Sequence, residues 1–237
     1  LALAAGAAAW SAREASVVKG LASVTLGPGG TGGRLIVSTE YEREPGAGRE
    51  FRPWARLSYD EAGDGFSGGA GVLGGTGPLD YAAGLQALRD GDYTSAAGTL
   101  VPAGREESDG FLSLGLRPSP AQRFSFSTVL RKSERTDYPS LPMDSDWDRD
   151  RMYSASYRYR PAGGRGRLAS VEARFGFAPI DHLMSNRRKP TWSIMQSESR
   201  SSAESRSAGV SATWFMWRGA TLSAGADFTG VDRDALH

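Results

Sequence analysis

Residues 17–39 read VVKGLASVTLGPGGTGGRLIVST, and this segment decides the fold class of the chain. It consists of two short β-branched runs, 17–18 and 35–37, joined by a connection that is rich in glycine. Six glycines fall between Gly20 and Gly33, and such a backbone turns tightly or passes close to another segment. We therefore expect two short strands here, with an irregular link between them.

After Glu40 the sequence changes to short runs in which apolar and polar residues alternate. In residues 111–116 (FLSLGL) the leucines share one face, while Ser113 and Gly115 share the other. This alternation has the period of a β-strand with one apolar and one polar face. Nine such strands are predicted, at 54–59, 66–73, 79–89, 111–116, 124–131, 153–159, 171–177, 209–217 and 222–228. Repeated short segments of this kind are typical of an antiparallel transmembrane β-barrel.

The connections between these segments alternate in length. Short, turn-rich links follow the second, fourth, sixth and eighth strands, at 74–78, 118–122, 161–167 and 218–219. Long polar links follow the third, fifth and seventh strands, at 90–109, 132–150 and 179–207. Outer-membrane barrels have short turns on one side and long loops on the other, whereas a soluble β-sandwich gives no reason for this alternation.

Aromatic side chains are frequent near the ends of the predicted strands. The residues concerned are Trp54, Tyr59, Tyr81, Tyr157, Tyr159, Trp214 and Trp217. Barrels carry aromatic girdles where the wall meets the membrane surface, although the aromatic residues of an ordinary β core give the same pattern.

Composition restricts the function further. The chain has 237 residues, 39% of them hydrophobic, and no run approaches the roughly 20 apolar residues of a membrane-spanning helix. The absence of cysteine excludes disulfides and thiolate metal sites, and a net charge of +1 gives no electrostatic case for nucleic acid. With two histidines and no cysteine we expect no catalytic residues and no enzyme. The glycine-rich residues 27–33 lack the Gly-Lys-Ser/Thr ending of a phosphate loop.

The first twelve residues, LALAAGAAAWSA, have two interpretations. Their apolar run and small residues are typical of a signal peptide with its cleavage site, but the basic start of such a peptide is missing. The alternative is a fragment that has lost its front, or a poorly matching plug segment, and both interpretations stay open.

Residues 17–39 resemble the end of the plug domain of TonB-dependent outer-membrane receptors, whose pattern is V-x-V-x-K-G-P-x-S-x-x-Y-G-x-x-x-x-G-G-x-I-x-x-x-T. The matching residues are Lys19, Gly20, Ser23, Gly27, Pro28, Gly32, Gly33, Ile36 and Thr39. Leu21 and Leu26 depart from the usual proline and aromatic residue. The resemblance implies that residues 1–46 are the C-terminal part of a plug domain. It also implies that residues 47–237 are the first part of an all-β, 22-stranded transmembrane barrel.

Two further segments narrow the resemblance to the copper-receptor branch of this family. Residues 137–144 (DYPSLPMD) resemble an external loop of that branch, and residues 180–188 (IDHLMSNRR) resemble its V-D-H-x-M-x-N element. The resemblance implies that His182 and Met184 bind the metal. Met143 is a candidate for a third soft ligand, and a packed loop residue is its alternative interpretation. His182 and Met184 are two positions apart, so in extended backbone their side chains share a face. Imidazole together with thioether suits copper, especially Cu(I). The Cys and Met ligands of the family's plug are not visible in this sequence.

The polar loops also have ordinary interpretations. His182 and Met184 can be a loop histidine and a loop methionine that bind nothing. Asp144, Asp146, Asp148 and Asp150 alternate within one predicted loop, and we interpret them as a solvated acidic loop rather than a calcium site. Residues 187–189 (RRK) are interpreted as a solvated basic patch, with contact to lipopolysaccharide phosphates as the alternative.

The resemblance implies a receptor of the Gram-negative outer membrane for a metal or metal complex, with copper as the transported ligand and no catalytic cofactor. Its implied partners are the TonB–ExbB–ExbD complex, outer-membrane lipid and lipopolysaccharide. An iron-siderophore or cobalamin receptor is the alternative substrate class, and a non-transporting barrel, such as an adhesin or passive pore, is the alternative of another kind. Nine strands leave two unpaired edges in lipid, so we expect this segment to transport nothing alone.

Overall fold

The computed structural model describes residues 14–18, 34–38, 40–44, 46–161, 167–217 and 219–236. Strands β1 (Glu14–Val18) and β2 (Arg34–Ser38) pair in antiparallel fashion, with Ser16 opposite Ile36. This pairing confirms the two short strands expected from the β-branched runs. The motif residues Lys19, Gly20, Ser23, Gly27, Pro28, Gly32 and Gly33 lie outside the described residues. The plug assignment of residues 1–46 therefore stays a prediction.

One antiparallel sheet of nine strands makes up most of the described chain. Its members are β3 (Glu50–Asp60), β4 (Gly65–Thr76), β5 (Leu79–Asp90), β8 (Arg105–Ser119), β9 (Gln122–Thr136), β10 (Asp144–Tyr159), β11 (Leu168–Ser185), β12 (Glu198–Trp217) and β13 (Ala220–Leu236). The link between β5 and β8 contains a small hairpin, β6 (Tyr93–Thr94) with β7 (Leu100–Val101). Each strand of the sheet pairs with its neighbours along the chain, so the sheet is a meander from β3 to β13.

Regular helix is limited, among the described residues, to one turn of 3-10 helix at Pro190–Ser193, between β11 and β12. Within the same residues, no helix is long and apolar enough to cross a membrane.

All nine predicted segments are strands, which confirms the antiparallel all-β fold class. The observed strands are longer than the predicted ones, chiefly toward the long links. β11 continues to Ser185, so His182 and Met184 lie on a strand and not in the predicted loop. The alternating aspartates at 144–150 likewise lie on β10 rather than in a loop. The reason is that backbone hydrogen bonding continues past the apolar part of a strand whenever a partner strand is present.

The two ends of the sheet carry different connections. The turn end carries links 77–78, 120–121, 160–167 and 218–219, and the loop end carries links 61–64, 91–104, 137–143 and 186–197. The predicted alternation is therefore present for the other links, but link 160–167 is one residue longer than link 137–143. Gly77 and Gly219 have φ values of 54° and 80° at the turn end, a conformation that favours glycine.

The sheet has one apolar and one polar face, because side chains alternate along each strand and paired residues share a face. The apolar face carries the exposed residues Leu57, Leu85, Leu114, Phe126, Phe175, Val210 and Phe228. The polar face carries the buried residues Asp80, Ser113, Arg123, Ser125, Ser127 and Arg131. This inverted arrangement, with polar groups buried and apolar groups exposed, is that of a membrane barrel wall.

The apolar face ends before the strands do. Leu85, Gly110 and Leu130 lie side by side in the last row that is mainly apolar. In the next row toward the loop end, Lys132 lies opposite Arg149. The loop-end parts of the strands therefore carry charge on both faces and extend beyond the apolar band.

Glycines on β4 and β5 make room for Trp54, which lies on the polar face and not in a girdle on the apolar face. A Cβ atom on Gly71 would lie 2.7 Å from Trp54 Cζ2. On Gly84 it would lie 2.8 Å from Trp54 Cζ2 and 2.6 Å from Phe111 Cε1. These contacts are closer than packed atoms tolerate, so the indole lies against the sheet only because both positions lack a side chain.

We expect Gly71→Ala to lower the free energy of unfolding by about 1–3 kcal/mol, because the added methyl overpacks this part of the polar face. Urea unfolding of the full-length protein in detergent micelles, followed by tryptophan fluorescence, measures the change. Gly48→Ala is the matched control, since a Cβ atom there meets nothing within 4 Å. Equal stability of the two variants would contradict the packing assigned to Trp54.

Candidate functional site

The segment before β3 lies across the polar face at the turn end. It comprises residues 40–44 and 46–49 and is called the lead-in segment below. The Tyr41 amide donates to Ser113 Oγ on β8 at 3.1 Å. Glu40 Oε1 accepts from Ser125 Oγ on β9 at 2.8 Å and from Ser156 Oγ on β10 at 3.1 Å. The lead-in segment is thus attached to three adjacent strands.

A buried carboxylate joins the lead-in segment to the sheet. Asp80, at the start of β5, is 1% exposed. Arg43 Nε donates to its Oδ1 at 2.8 Å, and Arg123 Nη1 donates to its Oδ2 at 2.6 Å. Arg123 Nη2 also donates to the Tyr41 carbonyl at 2.7 Å. One carboxylate therefore holds a guanidinium from the lead-in segment and another from β9, and we call these residues the Asp80 centre.

The remaining donors of Arg43 are directed to backbone carbonyls. Its Nη2 donates to Gly77 O at 2.9 Å and to Leu79 O at 3.1 Å, and its Nη1 donates to Gly48 O. A charge in a buried position is stable only when its hydrogen bonds are satisfied in this way. The guanidinium of Arg43 therefore also fixes the turn between β4 and β5.

More exposed charges surround the Asp80 centre. Glu42 lies between Arg117 at 3.0 Å and Arg158 at 3.2 Å. Arg117 also approaches Asp80 to 3.7 Å. The polar face at the turn end thus carries a network of alternating charge that extends from β5 to β10.

A second group of charges lies further along the polar face, toward the loop end. Arg131 on β9 donates to Glu107 on β8 at 3.0 Å and lies 3.4 Å from Asp150 on β10. Gln86 Nε2 donates to Asp109 Oδ2 at 2.6 Å. Two strands, β8 and β10, therefore present carboxylates to one guanidinium on this part of the face, and β5 contributes the amide of Gln86.

The two loops at 137–143 and 186–197 are joined by ion pairs. Arg188 donates to Asp137 Oδ1 at 2.8 Å, to Asp146 Oδ1 at 2.7 Å and to the Ser145 carbonyl at 2.8 Å. Lys189 Nζ lies 2.7 Å from Asp144 Oδ1 and donates to the Tyr138 carbonyl at 2.7 Å. We call this set of contacts the loop clasp.

The loop clasp corrects two interpretations made from the sequence. Arg188 and Lys189 are not part of a solvated basic patch, because Asp137, Asp144 and Asp146 are their partners. The acidic residues are not a solvated loop either, since Asp144 and Asp148 are buried. Arg187 fits the solvated description, as it is exposed and paired with Glu198.

The charge of Asp137 depends on its two arginine partners. Burial alone would raise the pKa of its carboxyl, but hydrogen bonds from Arg135 and Arg188 outweigh burial and hold this pKa below the ordinary value of 3.8. Burial also raises the pKa of the neighbouring Tyr138 above 10.0. The carboxylate is therefore the stable form of Asp137 at neutral pH, as the clasp requires.

The residues predicted to bind metal lie beside the loop clasp. In the register of β10, β11 and β12, His182 lies opposite Asp148 and Ser201, and Met184 lies opposite Ser145 and Ser199. His182 Nε2 is 2.9 Å from Ser201 Oγ.

Met143 directly precedes β10, and its sulfur accepts a hydrogen bond from Ser197 Oγ at 3.7 Å. The three candidates are therefore at the loop end of neighbouring strands.

These residues do not form a complete metal site by themselves. His182 and Met184 share a face of β11, as the spacing predicted. Within the described residues, no three His, Cys, Asp or Glu side chains come together in an arrangement that could hold a metal ion. His182, Met184 and Met143 thus offer one imidazole and two thioether sulfurs, a soft set that needs further ligands. Their role as metal ligands stays a prediction.

Sequence reasoning missed the Asp80 centre and the loop clasp. Asp80 follows a Gly-Pro turn and has the appearance of an ordinary turn residue. The available signal was the two-residue repeat of side chains along a β-strand, which puts Asp80 on the same face of β5 as the polar Gln86. For the clasp, the charges of 137–146 and 187–189 are complementary in sign, and this complementarity was the available signal.

We expect Asp80→Asn to lower the free energy of unfolding by about 3–5 kcal/mol, because it leaves two buried guanidinium groups without their carboxylate. Urea unfolding of the full-length protein in micelles measures the loss. Asp90→Asn on the same strand is the control, since its partner Arg105 is 41% exposed and such pairs contribute about 1 kcal/mol or less. A similar small effect at both positions would contradict the role of the Asp80 centre.

We expect the loop clasp to be closed at neutral pH and to open only in strong acid. The pKa of Asp137 is depressed in the folded state, so its contribution is present above 3.8 and is lost as the pH falls through the lower folded pKa. Spin labels at Ser140→Cys and Ser193→Cys report the distance between the loops, and the chain has no other cysteine.

In the same labelled protein, Arg188→Gln should separate the loops at neutral pH, because it removes the ion pairs to Asp137 and Asp146. Arg187→Gln is the matched control and should leave the distance unchanged. A separation unaffected by Arg188→Gln would show that the clasp does not hold the loops together.

The fold is similar to that of three proteins of known structure. The copper transporter OprC has a TM-score of 0.85 and 21% identity, over 95% of this chain and 34% of that chain. The FrpB iron transporter from Neisseria meningitidis has a TM-score of 0.68 and 14% identity, over 94% and 36%. A mutant of the ferric enterobactin receptor PfeA from Pseudomonas aeruginosa has a TM-score of 0.64 and 16% identity, over 92% and 36%.

The likeness confirms the fold that the resemblance in the sequence implies. The chain spans about a third of the length of the solved structures that it matches. Neither a protein-family model nor a curated protein matches the sequence.

Proposed function

We propose that this chain is part of the wall of a TonB-dependent outer-membrane receptor that imports a metal or a metal complex. The observation that carries the proposal is the nine-stranded meander with an exposed apolar face and a buried polar face. An apolar face of this kind suits contact with lipid, and a polar face suits the interior of a transport barrel. The fold shared with transporters and receptors supports the same class of function.

In this proposal the loop end faces the outside and the turn end faces the periplasm, because barrels of this type have short periplasmic turns. The lead-in segment, which includes the last residues of the predicted plug domain 1–46, then enters the barrel wall from the periplasmic side. The Asp80 centre holds this segment in place. The TonB–ExbB–ExbD complex, which supplies the energy in this family, is the proposed partner on the same side.

Copper is the proposed substrate. Support comes from His182 and Met184, which lie on the polar face of β11 beside the loop clasp. An imidazole and a thioether in one strand suit Cu(I) better than hard cations. The loop clasp brings together both segments that resemble the copper-receptor branch, 137–144 and 180–188. The fold similarity to the copper transporter OprC agrees with this assignment.

An iron-siderophore complex is the second candidate substrate. The iron transporter FrpB and the ferric enterobactin receptor PfeA share the fold over nearly the same part of the chain. Ferric siderophores of the catecholate type are anionic and require free cations in the outer loops. Arg188 and Lys189 are already neutralised by aspartates, and this observation favours copper.

We expect His182→Ala and Met184→Ala each to weaken Cu(I) binding by the full-length receptor at least about tenfold, because each removes a ligand. Isothermal titration with a competing Cu(I) chelator measures the affinity. Met195→Ala is the matched control, since this methionine lies in the adjoining loop and is 66% exposed. Unchanged Cu(I) affinity in both ligand variants would contradict the copper assignment, and binding of ferric enterobactin by the same protein would then favour the second candidate.

A further inference from the structure

Two neighbouring rows of side chains cross the polar face at the level of the proposed copper ligands. Paired residues share a face, so the strand register defines each row. The row of His182 consists, from β8 to β11, of Glu107, Ser133, Asp148 and His182. The next row toward the turn end consists, from β5 to β10, of Gln86, Asp109, Arg131 and Asp150. We call these two rows the acidic rows.

The acidic rows carry an excess of negative charge. Their carboxylates are those of Glu107, Asp109, Asp148 and Asp150, and their guanidinium is that of Arg131. Arg131 lies 2.9 Å from Glu107 and 3.4 Å from Asp150, so its single positive charge is shared by two carboxylates. Asp148 instead accepts from the neutral Ser145 Oγ at 2.6 Å. Four negative charges therefore face one guanidinium.

More distant arginines do not offset this excess. In the register of the row of Asp109, Arg56 on β3 lies three strands from Asp109. Arg233 on β13 lies three strands from Asp150 on the other side. Three strand spacings amount to about 14 Å, which exceeds the screening length of about 8 Å at physiological salt. The negative charge of the acidic rows is therefore a local property of this part of the wall.

Two oxygen atoms in the row of Asp109 lack a donor. Asp109 is 9% exposed, and Gln86 Nε2 donates to its Oδ2 at 2.6 Å. Its Oδ1 has no hydrogen-bond partner among the described residues, and neither has the adjacent Gln86 Oε1. Buried acceptors are nearly always satisfied by a donor or an ion. The two oxygens therefore indicate a place for a species that carries positive charge.

The carboxylates of the acidic rows do not converge on one point. They lie on β8 and β10, with β9 between them. Across the part of the chain that the structure describes, no three His, Cys, Asp or Glu side chains are arranged to hold a metal ion. Conduction requires that an ion is attracted at several positions and retained at none. The acidic rows are thus suited to passing a cation along the wall rather than to storing it.

We propose that the acidic rows pass the imported metal through the barrel interior as a bare cation and exclude metal complexes of net negative charge. One row contains His182, and the other lies next to it toward the turn end, which is the direction of import in the proposed orientation. Clefts lined by charge of one sign concentrate ions of the opposite sign. Asp109 and Asp150 are therefore specificity-determining residues that receive the cation after it leaves His182 and Met184.

This inference rests on the proposed function, because it takes the polar face as the interior of a transport barrel and His182 and Met184 as copper ligands. It adds the class of substrate, which is a free cation rather than an anionic chelate. The two proposals can fail separately. A parent receptor that binds no Cu(I) would contradict the proposed function, whereas normal binding with normal uptake in carboxylate variants would contradict only the role of the acidic rows.

The test compares Cu(I) uptake with Cu(I) binding in the full-length receptor, expressed in cells that contain TonB, ExbB and ExbD. The double variant Asp109→Asn/Asp150→Asn should lower the maximal rate of radiolabelled Cu(I) uptake at least about tenfold, since a lining of one charge concentrates counter-ions by at least that factor. Its Cu(I) affinity should stay within about threefold of the parent, because a carboxylate about 7 Å from a cation attracts it only weakly in water.

The matched control is Glu106→Gln/Glu134→Gln. It removes two carboxylates from the other side of β8 and β9, where they pair with Arg89 and Lys132, and it should import Cu(I) at the parent rate. Asp109→Asn alone keeps both partners of Arg131, and its new amide can donate to Gln86 Oε1. This variant is used if the double variant does not reach the membrane, and it should slow uptake about threefold.

Parent rates of uptake in Asp109→Asn and in the double variant would overturn the proposal, and so would an equal loss in the control. A loss of Cu(I) affinity as large as the loss of uptake would also overturn it, by placing the effect at the copper ligands. The Cu(I) complex of bathocuproine disulfonate, which is anionic, should not be imported by the parent. Its import at the rate of free Cu(I) would contradict the exclusion of anionic complexes.

Discussion

The buried carboxylate of Asp80 is the interaction on which the turn end of the molecule depends. It receives Arg43 from the lead-in segment and Arg123 from β9, at 2.8 and 2.6 Å. A carboxylate that is 1% exposed must be paired, because an isolated buried charge is far too costly. The requirement is mutual, since both guanidinium groups are also buried. Neither the lead-in segment nor β9 can therefore move away without leaving an uncompensated charge.

The rest of the sheet follows from the strict alternation of its side chains. A shift of one residue in the register of any strand would turn its apolar side chains to the polar face. Small residues permit side chains to lie close against the sheet, as at Gly71 and Gly84, which the Trp54 ring covers. Serines pair across the polar face in the same way, with Ser125 opposite Ser156 and Ser127 opposite Ser154. The register of the strands thus keeps apolar side chains on one face and polar side chains on the other along the whole meander.

Much of this fold could be predicted from the sequence, because alternation is a local property. Each of the nine strands was predicted from its own residues, and the alternating links predicted the order. The ends of the strands were not predictable, since β11 continues to Ser185 only because β10 and β12 are there to pair with it. The shared face of His182 and Met184 followed from their spacing alone.

Contacts between distant segments were the part that sequence reasoning could not supply. The Asp80 centre joins residues 43, 80 and 123, and the loop clasp joins Asp137 to Arg188. Charge pairing across such separations depends on which strands become neighbours and in which register, and neither is fixed by local pattern. The charges of 187–189 accordingly had the appearance of a solvated patch until the partner loop was placed beside them.

The positions of the Asp80 centre and the loop clasp constrain how a movement at one end of the sheet could reach the other end. β9 carries Arg123 at the turn end and Arg135, a partner of Asp137, at the loop end. This strand is paired on both sides along most of its length, so moving it would break many backbone hydrogen bonds, each contributing about 1 kcal/mol. Displacing the lead-in segment would instead break the contacts that its residues 40–43 make with the polar face, without separating any pair of strands in the sheet. A force applied at the turn end is therefore expected to release the lead-in segment from the wall long before it deforms the wall itself.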